Sequence, residues 1–331
     1  MSKYHKPELV ALPFDQYQRY RLVAEVLDRL RRPGEKFEVL DVGGHPGLAR
    51  AFFDQDLVIV SDLLSSGNDF EIMADSITLP FPDQSFNLVI AVDLLEHILP
   101  SERNQVLREL ARVSSELVFI SAPFDFSLSK EAERMVFDFI KEWLGYEHKY
   151  LKQHLEIPAP KLFETEAEMI KLGFDTVIFP NGELSRWLLL MLVYYYFEGF
   201  PRAIELRKKL SEFYNQHYFF QDLTEPAYRH LIVGSKNRIR EMPNALDELS
   251  AKKKSEPTPD FELLRSTLEI FRSGENRRLL DKIQELKAEL KDKEEQIQHL
   301  RNYIAELEDF NKKVRESIFY KIYQTFFKPQ K

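Results

Sequence analysis

The chain has 331 residues, 44% of them apolar and 30% charged, with a net charge of −8 and no cysteine. The length suggests roughly two domains, and the balance supports a sizeable core while excluding wholesale disorder. The acidic balance argues against a nucleic-acid partner, which would call for a basic face. The missing cysteine excludes disulfides, thiolate metal sites and a cysteine nucleophile.

From the N-terminus, MSKYHKPELV lacks the apolar core of a signal peptide. The longest apolar run, Trp187 to Phe197, falls short of the about 20 residues that span a bilayer. A cytoplasmic protein is expected. Short runs rich in Val, Ile and Phe at 37–43, 57–63, 70–76, 86–93 and 116–123 read as strands, with helices expected at 47–54, 101–114 and 129–144. Continuous apolar strands separated by helices predict an α/β fold with a mostly parallel sheet covered on both faces. Two further strands, 173–180 and 228–236, bracket a helical insertion at about 181–227. Its aromatics, Trp187, Tyr194 to Tyr196, Tyr214 and Phe220, either wall a pocket or form a packed layer or dimer face. Packing is the favoured reading. The first domain thus covers 1–236.

Composition shifts after Lys236. Residues 237–260 read as a polar, proline-interrupted linker, followed over 261–318 by a helix and a coiled coil. The short helix carries Phe261, Leu264, Leu268 and Phe271 on one side and stops at Ser273-Gly274. A seam then runs through Leu279, Ile283, Leu286, Leu290, Lys293, Ile297, Leu300, Ile304, Leu307, Asn311, Val314 and Ile318. With Ile283 at position a and mainly Leu at d, the pattern predicts a parallel two-stranded coiled coil. Asn311 at an a position supports that register, and Lys293 at d is a local weakness. In the tail, 319–331, Phe319, Ile322, Tyr323 and Phe326 recur at helical spacing beside Lys321, Lys328 and Lys331, with Lys312, Lys313 and Arg315 just before. Such a segment, 312–331, suits either an anionic membrane surface or a protein partner.

The stretch VLDVGGHPGLA, 39–49, ends an apolar run in an acid and a glycine-rich turn. Glycines there admit a ligand close to the backbone. The spacing of Gly43, Gly44 and Gly47 does not fit the dinucleotide pattern G-x-G-x-x-G. It fits an acid followed by alternate glycines, with Asp41, Gly43 and Gly47 in place and His45 at the middle glycine. Further acids close later strands: Asp62 in VIVSDL, Asp75 in MADSITLPF and Asp93 in AVDLLEHI. In this order the chain resembles class I S-adenosylmethionine-dependent methyltransferases over about 37–180, a Rossmann-like domain. SAPFDFS and KYLKQHLEIP are similar to members associated with bacterial surface-polysaccharide biosynthesis.

The resemblance implies S-adenosylmethionine as cofactor, held by Asp41, Gly43, Gly44, Gly47, Asp62, Leu63, Asp75, Ser76 and Asp93, with Asp62 on the ribose hydroxyls and Asp75 near the adenine amino group. Pro46 restricts His45 to extended backbone, directing its ring outward, and cofactor binding is expected to survive. A base is needed only for an acceptor that must lose a proton. The candidates are Asp93, His97, His148 and His154, with His154 preferred; Glu96 and His97 equally suit a helix start. Scattered histidines show no metal spacing, so no metal is expected. The reading is an O-methyltransferase of a saccharide or glycan-lipid, dimeric through its coiled coil, either free in the cytoplasm or peripheral at the inner face of the membrane. The alternative is a scaffold without turnover whose coiled coil recruits glycan-assembly enzymes.

Overall fold

Strands β1 (Glu38–Val42), β2 (Leu57–Asp62), β3 (Glu71–Met73), β4 (Phe86–Val92), β5 (Ser114–Ala122), β6 (Asp175–Glu183) and β7 (Ala227–Ser235) form a single sheet in the order 3-2-1-4-5-7-6. The first five pair in parallel, while β7 runs antiparallel to both β5 and β6. The computed structural model describes residues 3–65, 67–238, 247–249, 251–252 and 275–326. The chain divides into two units, Met1–Leu268 and Glu269–Lys331.

Alternation along the strands sends successive side chains to opposite faces. Val39, Leu88, Ile90, Leu117, Phe119 and Val233 pack on one face with Val23, Val26 and Leu27 of helix α2 (Phe14–Leu30), which follows the single turn α1 (Pro7–Val10). Leu40, Val89, Ala91, Val118, Ile120 and Ile232 pack on the other. That face is covered by Val106 and Leu110 of α4 (Arg103–Val113) and by Leu162 and Met169 of α7 (Leu162–Lys171). Both faces are therefore dry, which explains why the strands read as unbroken apolar runs.

The expected helix 47–54 is only the turn α3 (Ala49–Phe52). Gly47, at φ +89°, holds the chain out of helix until residue 49. The 101–114 and 129–144 segments form α4 and α5 (Ser127–Leu144). Helix α6 (Lys149–Glu156) and α7 lie between β5 and β6. The insertion splits into α8 (Leu184–Glu198) and α9 (Ile204–His217), because Pro201 cannot donate to a continuing helix. Trp187, Tyr195 and Tyr214 are buried with Val136 and Ile140 of α5 in a third cluster. Trp187 stacks on Tyr228 of β7 with ring centroids 3.5 Å apart. Much of the aromatic insertion is thus a packed layer.

The second unit holds α10 (Glu275–Glu316), 42 residues without a break, and α11 (Ile318–Phe326). At 1.5 Å per residue α10 is about 63 Å long. Along it Leu279, Ile283, Leu286, Leu290, Ile297, Leu300, Ile304 and Leu307 are all exposed in the single chain. The seam expected to reach Ile318 stops short, since Ser317 separates the two helices and its hydroxyl bonds back to the Val314 carbonyl. The expected helix over 261–272, most of the linker and the last lysines lie outside the described residues.

Candidate active site

The C-terminal ends of β1, β2 and β4 lie side by side and carry Asp41, Asp62 and Asp93. Beyond β1, Gly43 (φ +77°) donates its N–H to the Ser61 carbonyl at 2.7 Å, tying the turn to β2. Gly44 lies directly on the Asp41 carboxylate: a Cβ there would sit 2.1 Å from Oδ2. No side chain fits. The His45–Pro46 bond is cis, and the His45 ring turns toward Glu71 of β3, Nδ1 to Oε2 4.0 Å, with Arg50 on the same carboxylate.

Asp41 is fully buried, and its nearest hydroxyl, Tyr20 of α2, is 3.4 Å away. Burial pushes its pKa up to about 7, against the pull of Tyr20 and Arg19. Asp62 is half-buried; its Oδ2 accepts the His45 N–H at 3.2 Å and its Oδ1 the Leu64 N–H at 3.0 Å. A carboxylate offers about four acceptor positions, so positions remain for a pair of hydroxyls. Leu63 beside it is exposed. Asp75 is exposed and accepts the Ile77 N–H at 3.0 Å, with Ser76 buried next to it.

Asp93 has another character. It takes φ +52° at the tip of β4 and is held by Arg19 of α2 at 2.5 Å and Arg229 of β7 at 2.8 Å. Arg229 also holds Asp15, which accepts the Trp187 indole N–H at 3.0 Å. Burial opposes the Asp93 charge, but Arg229 and Arg19 outweigh it and keep the carboxyl far below the usual range. A carboxylate clamped in this way is a poor proton acceptor, which argues against Asp93 as a base. The arginines were not singled out in the sequence. Asp15 and Arg19, four apart in FDQYQRYR, share a helix face, and that spacing was the available signal; nothing local marks Arg229 as their partner.

The 3-10 turn Leu95–His97 then brings Glu96 and His97 against α6. His154 of α6 bonds through Nδ1 to Glu133 Oε1 of α5 at 2.8 Å, and the same oxygen accepts the Tyr228 hydroxyl at 2.7 Å. His97 Nδ1 lies 3.0 Å from Gln153 Oε1, and the two imidazoles are 4.9 Å apart. His148 instead caps α6, its Nδ1 accepting the Leu151 N–H. Burial, then His154, lowers the His97 pKa, whereas burial, then Asp93, raises that of Glu96 well above the carboxylate range. Spacing along the chain indicated no metal constellation; in the fold, potential ligand atoms of Glu96, His97 and His154 lie within 4.8 Å of one another.

Residues 54–118 match the family described as a methyltransferase domain. No curated relative matches the sequence. Similar solved structures include a SAM-dependent methyltransferase from Thermotoga maritima, 13% identical over 70% of this chain and 99% of that one, TM-score 0.40. Another is magnesium protoporphyrin IX methyltransferase from Synechocystis with bound SAH, 13% identical over 67% and 86%, TM-score 0.39. The YcgJ protein from Bacillus subtilis is 16% identical over 66% and 98%, TM-score 0.38. The matched stretch resembles a methyltransferase domain, and Asp62, Asp75 and Asp93 all lie within it. The side-chain-free cradle at Gly44 and the spare acceptor positions of Asp62 fit the S-adenosylmethionine that the sequence resemblance implies.

Gly44→Ala is expected to displace the loop from Asp41 and weaken S-adenosylmethionine binding at least tenfold by calorimetry. Unchanged affinity would show that the loop does not form the cradle. Because the folded Asp41 pKa is raised, its contribution to stability is full below the unfolded value near 4 and is lost as pH rises toward 7. Urea melts should show wild type losing stability relative to Asp41→Asn across that window, by up to about 1.4 kcal/mol per pH unit.

Proposed function

We propose that this domain transfers the methyl group of S-adenosylmethionine to an oxygen of a saccharide or glycan-lipid in surface-polysaccharide biosynthesis. The oxygen acceptor is supported chiefly by one observation: His154 Nε2 is buried with no hydrogen-bond partner, while Nδ1 is anchored on Glu133. A carboxylate on Nδ1 fixes that nitrogen as the N–H and leaves a lone pair on Nε2. When bound, the cofactor supplies a sulfonium methyl whose C–S electrons stay on sulfur as the acceptor oxygen forms the new C–O bond. The acceptor hydroxyl must also lose its proton, and in this reading His154 Nε2 receives it. Tyr228, by holding Glu133, keeps the imidazole in position. Asp93 and its two arginines instead brace the tip of β4.

The polysaccharide setting rests on the sequence resemblance around SAPFDFS and KYLKQHLEIP. In this reading α10 pairs in parallel with a second copy, covering the seam from Leu279 to Leu307, and Asn311 meets its mate across the axis. Residues 312–331 contact an anionic membrane surface or glycan-assembly enzymes, placing the enzyme at the inner face of the membrane. Among the described residues no helix is long and apolar enough to cross one. A scaffold without turnover would have no need of Asp41, Asp62 and Asp75 together at the ends of successive strands, which favours the enzyme.

Incubating the protein with methyl-labelled S-adenosylmethionine and fractionated extract of the source organism is expected to label a saccharide or glycan-lipid. His154→Ala should lower the rate by about 10²–10⁴-fold; label found only in protein or small metabolites would replace the proposed acceptor. Analytical ultracentrifugation is expected to show a dimer for the full chain and a monomer when Leu286 and Leu300 are both changed to Lys. A monomeric wild type would remove the coiled coil.

A further inference from the structure

We infer that Glu96, His97 and His154 form a binding site for a single divalent transition-metal ion of the Zn2+ kind. The inference rests on the active-site reading above only for its place beside the acceptor. The geometry is independent of it. Glu96 is 1% exposed, yet neither carboxylate oxygen has a hydrogen-bond partner. Buried polar groups are almost always bonded, and buried charges are paired or bind metals. The nearby protein cations are already committed: Arg19 and Arg229 to Asp93, Lys130 to Asp125, and Arg103 to the carbonyls of Leu95 and Ile98. A cation is what the cluster lacks.

The two imidazoles are arranged to complement that carboxylate. Gln153 Oε1 and Glu133 Oε1 are acceptors, so each histidine donates from Nδ1 and keeps a lone pair on Nε2. Metal-ligating histidines characteristically donate their other nitrogen to a carboxylate or carbonyl in this way. A cavity of about 10 Å³, lined by Glu96, Glu133, His154 and Lys130 but not by His97, adjoins the cluster and has room for one water-sized body. Closing the three ligand atoms from within 4.8 Å onto a metal at about 2.0–2.2 Å requires them to draw in by roughly an ångström. Two imidazoles and one carboxylate suit zinc and its neighbours rather than Mg2+ or Ca2+, which take oxygen ligands. Three protein ligands leave coordination positions open. A hydroxyl bound there would be acidified, its proton passing to solvent, and His154 would then serve as a ligand rather than as the proton acceptor.

The test is calorimetric titration of chelator-treated full-length protein with Zn2+, without S-adenosylmethionine, alongside the visible spectrum with Co2+. The expected result is one equivalent bound, with the d–d bands of Co2+ in a nitrogen–oxygen site. Glu96→Gln and His154→Ala should abolish stoichiometric binding, and Glu133→Gln should weaken it about 10–100-fold, each variant retaining its circular dichroism spectrum. No binding to wild type, or binding unchanged in all three variants, overturns the site. Methyl transfer that persists at full rate after chelation overturns its role beside the acceptor while leaving the methyltransferase reading intact.

Discussion

Neutralisation of the buried Asp93 carboxylate is the constraint that organises the functional edge of this domain. Arg19 reaches it from α2 and Arg229 from β7, and Arg229 in turn holds Asp15. Removing such charges from water is costly, and leaving any one of them alone would cost several kcal/mol. The N-terminal helix, the tip of β4 and the antiparallel strand are therefore bound together by mutual need. Trp187 extends the link into the aromatic layer through its bond to Asp15 and its stack on Tyr228. Asp93 can occupy φ +52°, unusual for a residue with a side chain, because this network holds it there.

Three acids at neighbouring strand ends have three different fates. Asp41 is enclosed beneath Gly44 and shifted toward its neutral form by burial. Asp62 stays partly open, binding two backbone N–H groups with acceptor capacity to spare. Asp93 is paired with two guanidiniums, which hold its carboxyl far below the usual range. Only Asp62 is left in a state to receive polar groups of a ligand. One turn beyond Asp93, Glu96 is more deeply buried, and neither of its carboxylate oxygens has a hydrogen-bond partner. That contrast between two acids three residues apart makes the histidine cluster chemically distinctive.

Much of the sheet was legible because both faces are covered, so each strand appears as an unbroken apolar run bounded by turns. Strands 37–43, 57–63, 86–93, 116–123, 173–180 and 228–236 all lie close to observed ones. Helix lengths were less legible where one residue decides them, as Gly47 and Pro201 do. At the site, glycines and acids at strand ends carry a local signal, since the turn and its acid are contiguous in the chain. Partnerships do not. Glu133, Gln153 and Tyr228 are ordinary helix and strand residues until the fold sets them on His154 and His97.

The amino-acid order by itself determined which segments are strands, where the cradle lies and which face of α10 is apolar. Each of these follows from local periodicity or from a turn closed within a few residues. Tertiary structure alone decided which acid is paired, which is shifted toward its neutral form by burial and which stays open. It also decided that Glu96, His97 and His154, from two separate elements, converge on one point. The reason is physical: charge state and coordination depend on distances between groups far apart in the chain, and only packing sets those distances.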